Sequence, residues 1–206
     1  MKRKIGILGG TFNPIHNGHI LLGKKALAEL KLDQIWIMPS GQTNLKKDLY
    51  ILPKEERQKL VELAIEDYPD FFLSDIELNR PGITYTYETL MELKTLYPED
   101  EFYFILGADC LFSIEKWMKP EIIMSHAVLA SATRGEKDLE DLKAKSEYLA
   151  KKFDAKIILL PFSKIDISSS EIRDKINKAE SIDNLVPKKV LEYINKNHLY
   201  KEMHKL

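Results

Sequence analysis

Six short apolar runs rich in β-branched and aromatic residues recur along the chain, at 4–8, 34–38, 71–76, 101–106, 127–132 and 156–160. Runs of this length and composition read as strands. Between them, apolar residues fall at helical spacing over about 18–30, 53–68, 85–97, 139–153, 169–176 and 187–195. The second of these opens with Pro53-Lys54-Glu55-Glu56-Arg57, proline in the first turn and acids near the positive end of the helix. Its stripe continues through Leu60, Leu63, Ala64 and Tyr68 and must stop before Pro69.

Strand and helix alternate from end to end. This predicts an α/β fold, a Rossmann-like doubly wound and mostly parallel sheet built from right-handed βαβ units, with helices on both faces. Ligands then belong at the carboxyl ends of the strands. The last helical stretches form a small C-terminal helical part, so the chain reads as one domain: an α/β core over 1–166 and a helical portion over 167–206. The irregular stretch 39–52 is the one loop long enough to act as a lid.

With 206 residues and 44% hydrophobic content, the chain can bury a full core as one domain. The balance of 31 basic against 32 acidic residues, net charge -1, argues against nucleic acid or another general polyanion as partner, so any basic site is local. A single cysteine, Cys110, excludes an internal disulfide and a cysteine-based zinc cluster, and fits a cytoplasmic protein. Met1-Lys2-Arg3-Lys4 imitates the start of a signal peptide, but the apolar stretch behind it stops at Thr11 and reads as a first strand. No run reaches the roughly 18 apolar residues of a membrane span. Homo-oligomerisation is left open.

The chemistry gathers where the first strand becomes a helix, in Gly9-Gly10-Thr11-Phe12-Asn13-Pro14-Ile15-His16-Asn17-Gly18-His19. Gly9 and Gly10 let backbone N–H groups approach a ligand and permit positive φ. Asn13 before proline favours a fixed, extended loop. A helix starting near Asn17 or Gly18 sets its positive end beside both histidines, which makes an anion site. Neither of the two common phosphate loops is present. Two plainer readings stand beside this one: a packing turn with ordinary histidines, or zinc on His16 and His19, for which no third ligand stands at a telling spacing. Farther on, Ser168, Ser169 and Ser170 place hydroxyls and backbone donors at a helix start, with Arg173 one turn in. Alone, this could be a serine cap followed by a surface arginine.

Together the two segments resemble the paired signatures of the nucleotidyltransferase superfamily, His-x-Gly-His in 16–19 and Ile-Ser-Ser-Thr-x-Ile-Arg in 167–173. Within it the chain is similar to the bacterial nicotinate-nucleotide adenylyltransferases, from Lys4 to about Tyr200, with support from 39–41, 80–86, 107–109 with Trp117, and 186–200. The resemblance implies adenylyl transfer from ATP to nicotinate mononucleotide, giving nicotinate adenine dinucleotide and pyrophosphate, by direct in-line attack. A phosphate monoester is already largely anionic at neutral pH and needs no strong base. On this reading His16 and His19 donate to α-phosphate oxygens, while Arg173 and Ser169 hold the outgoing pyrophosphate. Mg2+ rides on the phosphates with no dedicated protein ligand.

The implied ATP site comprises Gly9, Gly10, Thr11, Phe12, His16, Gly18, His19, Arg134, Ser168, Ser169, Ser170 and Arg173. The implied substrate site comprises Lys46, Thr84, Tyr85, Thr86, Gly107, Asp109 and Trp117. Trp117 offers a flat face for a pyridine ring, though it would serve equally in a core. Asp109 suits a ribose or a helix cap, and Lys46 and Lys47 suit a phosphate or plain solvent. The chain departs from its relatives at 42–46, which reads Gln-Thr-Asn-Leu-Lys in place of Asn-Pro-Pro-His-Lys, and at Met118, where an aromatic residue is usual. The rival readings are a nicotinamide mononucleotide, pantetheine-phosphate or glycerol-phosphate nucleotidyltransferase, and a noncatalytic nucleotide sensor.

Overall fold

A computed structural model describes residues 2–42, 50–133, 139–161 and 167–201. The strands are β1 (Lys4–Gly10), β2 (Gln34–Pro39), β3 (Phe71–Leu73), β4 (Glu101–Gly107), β5 (Val128–Ala132) and β6 (Ile157–Leu160). The helices are α1 (Asn17–Glu29), α2 (Lys54–Ile65), α3 (Thr86–Leu96), α4 (Ala108–Ser113), α5 (Pro120–His126), α6 (Leu139–Phe153), α7 (Ser169–Asn177) and α8 (Lys188–Lys196). All strand pairs are parallel, in the order β3-β2-β1-β4-β5-β6. This is the doubly wound arrangement that the alternating pattern predicts.

The sheet is covered on both sides, and this is why its strands read as apolar runs and not as an apolar–polar alternation. Leu8, Ile35, Ile37, Tyr103 and Ile105 join one buried cluster with α1, α2, α7 and α8. Ile5, Ile7, Phe102, Phe104 and Leu106 join the other with α3, α4, α5 and α6. The C-terminal helices share the first cluster directly: Ile172, Val190 and Ile194 are buried with Leu60 and Val61 of α2. Winding reverses between β1 and β4, so a crevice opens at their carboxyl ends, at Gly10 and Gly107.

Two features depart from the sequence pattern. β3 stops at Leu73, short of 76, because Ser74 donates to the Ile37 carbonyl and the chain then turns, with Asn79 bonded back to Asp75. α4 and α5, joined through the 3₁₀ turn Ile114–Lys116, lie between β4 and β5 where no helix is legible; neither is long enough to display a helical period. Half of the 39–52 loop, 43–49, lies outside the described residues, and with it the stretch expected to act as a lid. Among the described residues no helix is long and apolar enough to cross a membrane.

α1 seats closely on the sheet through Ile20, Gly23 and Ala26. A β-carbon at Gly23 would stand 2.8 Å from the Phe71 ring. Gly23→Val should therefore lower unfolding stability by about 2 kcal/mol through overpacking, read as a lower urea midpoint at unchanged slope. A midpoint at or above wild type would show that this contact has slack.

Candidate active site

The segment 11–16 links β1 to α1 and is held by side chains from distant parts of the chain. Asn13, 4% exposed, donates through Nδ2 to the Tyr50 carbonyl (2.8 Å) and accepts at Oδ1 from the Leu52 amide (3.2 Å). Ser169 Oγ donates to the Pro14 carbonyl (2.9 Å), and Arg173 Nη1 donates to the Asn13 carbonyl (2.8 Å). From α2, Arg57 Nη1 donates to the carbonyls of Thr11 (3.0 Å) and Ser40 (2.8 Å), and its Nε to that of Leu52 (3.2 Å). The Asn13–Pro14 peptide is cis. Positive φ falls on Phe12 (48°) and not on Gly9 or Gly10, contrary to the expectation from sequence. At Gly10 the missing side chain matters for space instead: a β-carbon would lie 3.1 Å from the Phe12 ring.

His16 caps α1 with extended backbone, and its amide donates to His19 Nδ1 (3.2 Å). The two imidazoles stack with centroids 3.7 Å apart, and Phe12 meets His19 edge-on at 4.9 Å. With Nδ1 of His19 accepting, Nε2 is the nitrogen that carries the proton in the neutral ring. Burial lowers the His16 pKa from its ordinary 6.5 to about 4, so this ring is neutral at physiological pH. His16 Nδ1 and Arg173 Nε are buried with no hydrogen-bond partner. Buried polar atoms are nearly always satisfied, and an orphan beside a cavity marks a place for a ligand group.

Two cavities meet here. The first, about 460 Å³, is walled by Gly10, Thr11, Phe12, Asn13, His16 and His19 on one side and by Ser168, Ser169, Ser170 and Arg173 on the other. The first-turn amides of α7 open onto it, and a helix start leaves such N–H groups without intrahelical partners. No carboxylate is among its described lining residues. The second, about 480 Å³, is more apolar and includes Gly9, Thr84, Tyr85, Thr86, Phe104 and Trp117. Gly10 and Thr11 line both, so the cavities join at the end of β1. Trp117 is half-buried and packs edge-to-face on Phe104 at 6.2 Å. The opposite wall is set by a bridge between Gln42 and Ile83, with the Thr84 amide donating to the Gln42 carbonyl (2.9 Å).

The cytidylyltransferase-like family model matches residues 7–175. A probable nicotinate-nucleotide adenylyltransferase of Lachnoclostridium phytofermentans is 42% identical, over 96% of this chain and 99% of its own. That of Clostridium novyi is also 42% identical, over 98% and 100%. Among solved structures, the Plasmodium falciparum nicotinic acid mononucleotide adenylyltransferase complexed with NaAD superposes with a TM-score of 0.78 at 27% identity, covering 96% of this chain and 97% of that one. This chain belongs to the nicotinate-nucleotide adenylyltransferases of the cytidylyltransferase-like family.

For a nucleotidyltransferase, the structure gathers most of the residues singled out from sequence. Gly10, Thr11, Phe12, His16, His19, Ser168, Ser169, Ser170 and Arg173 surround the first cavity, and Gly9, Thr84, Tyr85, Thr86 and Trp117 the second. Gly18, Gly107 and Asp109 line neither; Gly107 is the residue before α4 and Asp109 lies in that helix's first turn. Lys46 and Arg134 lie outside the described residues. The three serines divide their work: Ser168 Oγ caps α7 by accepting from the Glu171 amide, and Ser169 Oγ holds Pro14. Among the described residues no group of three or more metal-ligating side chains assembles. Sequence reasoning missed Arg57, whose signal was legible: a charged residue in phase with the buried stripe Leu60, Val61 and Ala64. It also missed Asn13 as a clamp and Tyr200, whose buried hydroxyl has no partner.

The His16 shift carries a stability consequence. Its folded pKa, about 4, lies below the unfolded value, so the stabilisation is full above pH 6.5 and is lost as pH falls toward 4, when the unfolded chain takes up the proton first. Comparing the free protein with His16→Gln over pH 7 to 4 should show the wild type losing about 3 kcal/mol more than the variant. A difference that stays flat across this range would contradict the burial of a neutral ring.

Proposed function

We propose that this protein transfers the adenylyl group of ATP to nicotinate mononucleotide, forming nicotinate adenine dinucleotide and pyrophosphate as a step in NAD synthesis. The observation that carries the reading is the junction of two unlike cavities at Gly10–Thr11, one lined by hydroxyls, imidazoles and Arg173 with no described carboxylate, the other more apolar and aromatic. A triphosphate suits the first and a pyridine ring the second. Reacting phosphates would then meet at the carboxyl end of β1.

In the step proposed, a 5′-phosphate oxygen of the mononucleotide attacks the α-phosphorus of ATP in line. A new P–O bond forms, the bond from the α-phosphorus to the bridging oxygen breaks, and pyrophosphate leaves with that electron pair. No side chain forms a covalent intermediate, and no strong base is required. His19 donates from Nε2 to an α-phosphate oxygen, and His16, buried and neutral, donates from whichever ring nitrogen carries its proton. Arg173 offers pyrophosphate the donors not spent on Asn13, and α7 offers its first-turn amides. Since the Ser169 hydroxyl is engaged with Pro14, that residue serves through its amide. A Mg2+ ion carried by ATP would offset charge on its phosphates; the hydroxyls of Thr11 and Ser170, uncharged oxygens in this cavity's lining, would be the protein groups to face it, which suits an ion held chiefly by substrate and water.

Trp117 is assigned to stacking on the nicotinate ring, with Thr84, Tyr85 and Thr86 facing it across the cavity. Lys116 and Glu77 both line this cavity, one charge of each sign, so the choice of acid over amide is supported by the relatives and not by the cavity's net charge. One cysteine in the chain supports a cytoplasmic setting.

Pyrophosphate release measured side by side with nicotinate mononucleotide, nicotinamide mononucleotide and phosphopantetheine should favour the first. Equal rates with acid and amide would remove the nicotinate assignment, and tight ATP binding without turnover on any acceptor would support a sensor. His19→Ala should lower kcat by about 10² to 10³ at saturating substrates. Unchanged turnover in that variant would refute its role.

A further inference from the structure

Arg57 is 4% exposed, lines neither cavity, and takes no part in the transfer described above. Its side chain nevertheless reaches three separate segments: Thr11 after β1, Ser40 after β2, and Leu52 before α2. A single nitrogen, Nη1, donates to both the Thr11 and the Ser40 carbonyls, and the Ser40 amide in turn donates to the Gly10 carbonyl (2.8 Å). Thr11 lines both cavities and Ser40 lines the apolar one. The guanidinium therefore sets the distance between the two strand ends on which the cavities join.

Burial of this group is costly. Among the described residues no carboxylate lies within ion-pair distance of Arg57 or of Arg173, the second guanidinium gripping the same loop from α7. Desolvation lowers the Arg57 pKa from its ordinary value, which expresses the same cost. A neutral side chain of similar shape would avoid that cost, as replacements of buried ionic groups show. What a guanidinium supplies and an apolar chain lacks is a rigid planar fork with several donors, able to fix carbonyls from different segments at once.

We propose that Arg57 is a positioning residue for adenylyl transfer, holding the Thr11 and Ser40 segments at the separation that brings the two substrates into line. The proposal rests on the reading of the two cavities as the ATP and mononucleotide sites. It acts chiefly on geometry: Thr11 belongs to both cavities and Ser40 to the apolar one, so when Arg57 is changed the apolar cavity's wall shifts relative to the donor-rich one, and a displacement of about 1 Å between reacting groups costs on the order of 10² in rate.

The test compares wild type, Arg57→Met and Arg57→Lys as full-length proteins, measuring kcat and KM for ATP and nicotinate mononucleotide together with amide hydrogen exchange. Arg57→Met should lower kcat about 100-fold with each KM within about threefold of wild type. Arg57→Lys retains the charge and removes the fork, and should lower kcat about tenfold, which keeps the claim decidable if the methionine variant does not fold. In Arg57→Lys, exchange should rise about tenfold in peptides covering 9–13 and 38–41 and stay unchanged in 102–106 of β4. A kcat within twofold of wild type in Arg57→Lys, a loss confined to the KM for ATP, or unaltered local exchange would overturn the proposal. Should wild type fail to turn over this substrate pair, the reading of function falls, and the exchange measurement still decides whether Arg57 holds the two segments.

Discussion

The constraint from which the rest follows is that β1 is hydrogen-bonded on both sides, to β2 and to β4, at the place where the winding reverses. A central strand cannot shift without breaking two ladders; the β4 ladder runs to Leu8 and the β2 ladder on to Gly10, so the strand's end is placed in the crevice with its β4 side left open. Helices emerging from β1 and β4 diverge to opposite faces, leaving an opening that no element of the fold fills. The site is thus a by-product of topology before it is a matter of particular side chains.

Chemistry enters through what is left unsatisfied. Fold-forming hydrogen bonds occupy the carbonyls of Thr11, Asn13 and Pro14, which accept from Arg57, Arg173 and Ser169, while donors on the cavity side remain. His16 Nδ1 and Arg173 Nε are orphaned, and α7 points its first turn inward. A loop whose acceptors are already occupied and whose neighbours are mostly donors prefers an anion to a cation or a neutral group. The neutral state of His16 fits this economy, since a second full charge beside Arg173 in a dry site would oppose folding.

Much of this was legible in the sequence because it is local or periodic. The apolar runs at 4–8 and 101–106 were legible as strands of a parallel sheet, and His16, His19 and Arg173 became recognisable once their two segments were read together as paired signatures. What escaped was of two kinds. α4 and α5 are too short to carry a period, and Arg57, Asn13 and Tyr200 act through contacts with residues remote in sequence, which no window of neighbours contains. Arg57 lay closest to being read: one cation in the buried face of α2 had no local reason to be there. The glycine expectation erred differently, because Gly9-Gly10 was valued for backbone freedom, whereas Gly10 is needed for the room that the Phe12 ring occupies.

The long-range clamps on the first loop have a consequence for synthesis on the ribosome. Ser169 reaches back to Pro14, Arg173 to Asn13, and Asn17 is tied to Asn184 and Leu185. The histidine loop is made within about the first tenth of translation, yet it is held in shape partly by residues made in the last fifth. A growing chain can lay down β1 to β5 and still lack the Ser169 and Arg173 contacts on the first loop, so the cavity beside the histidines is walled on both sides only once the C-terminal helices emerge and dock.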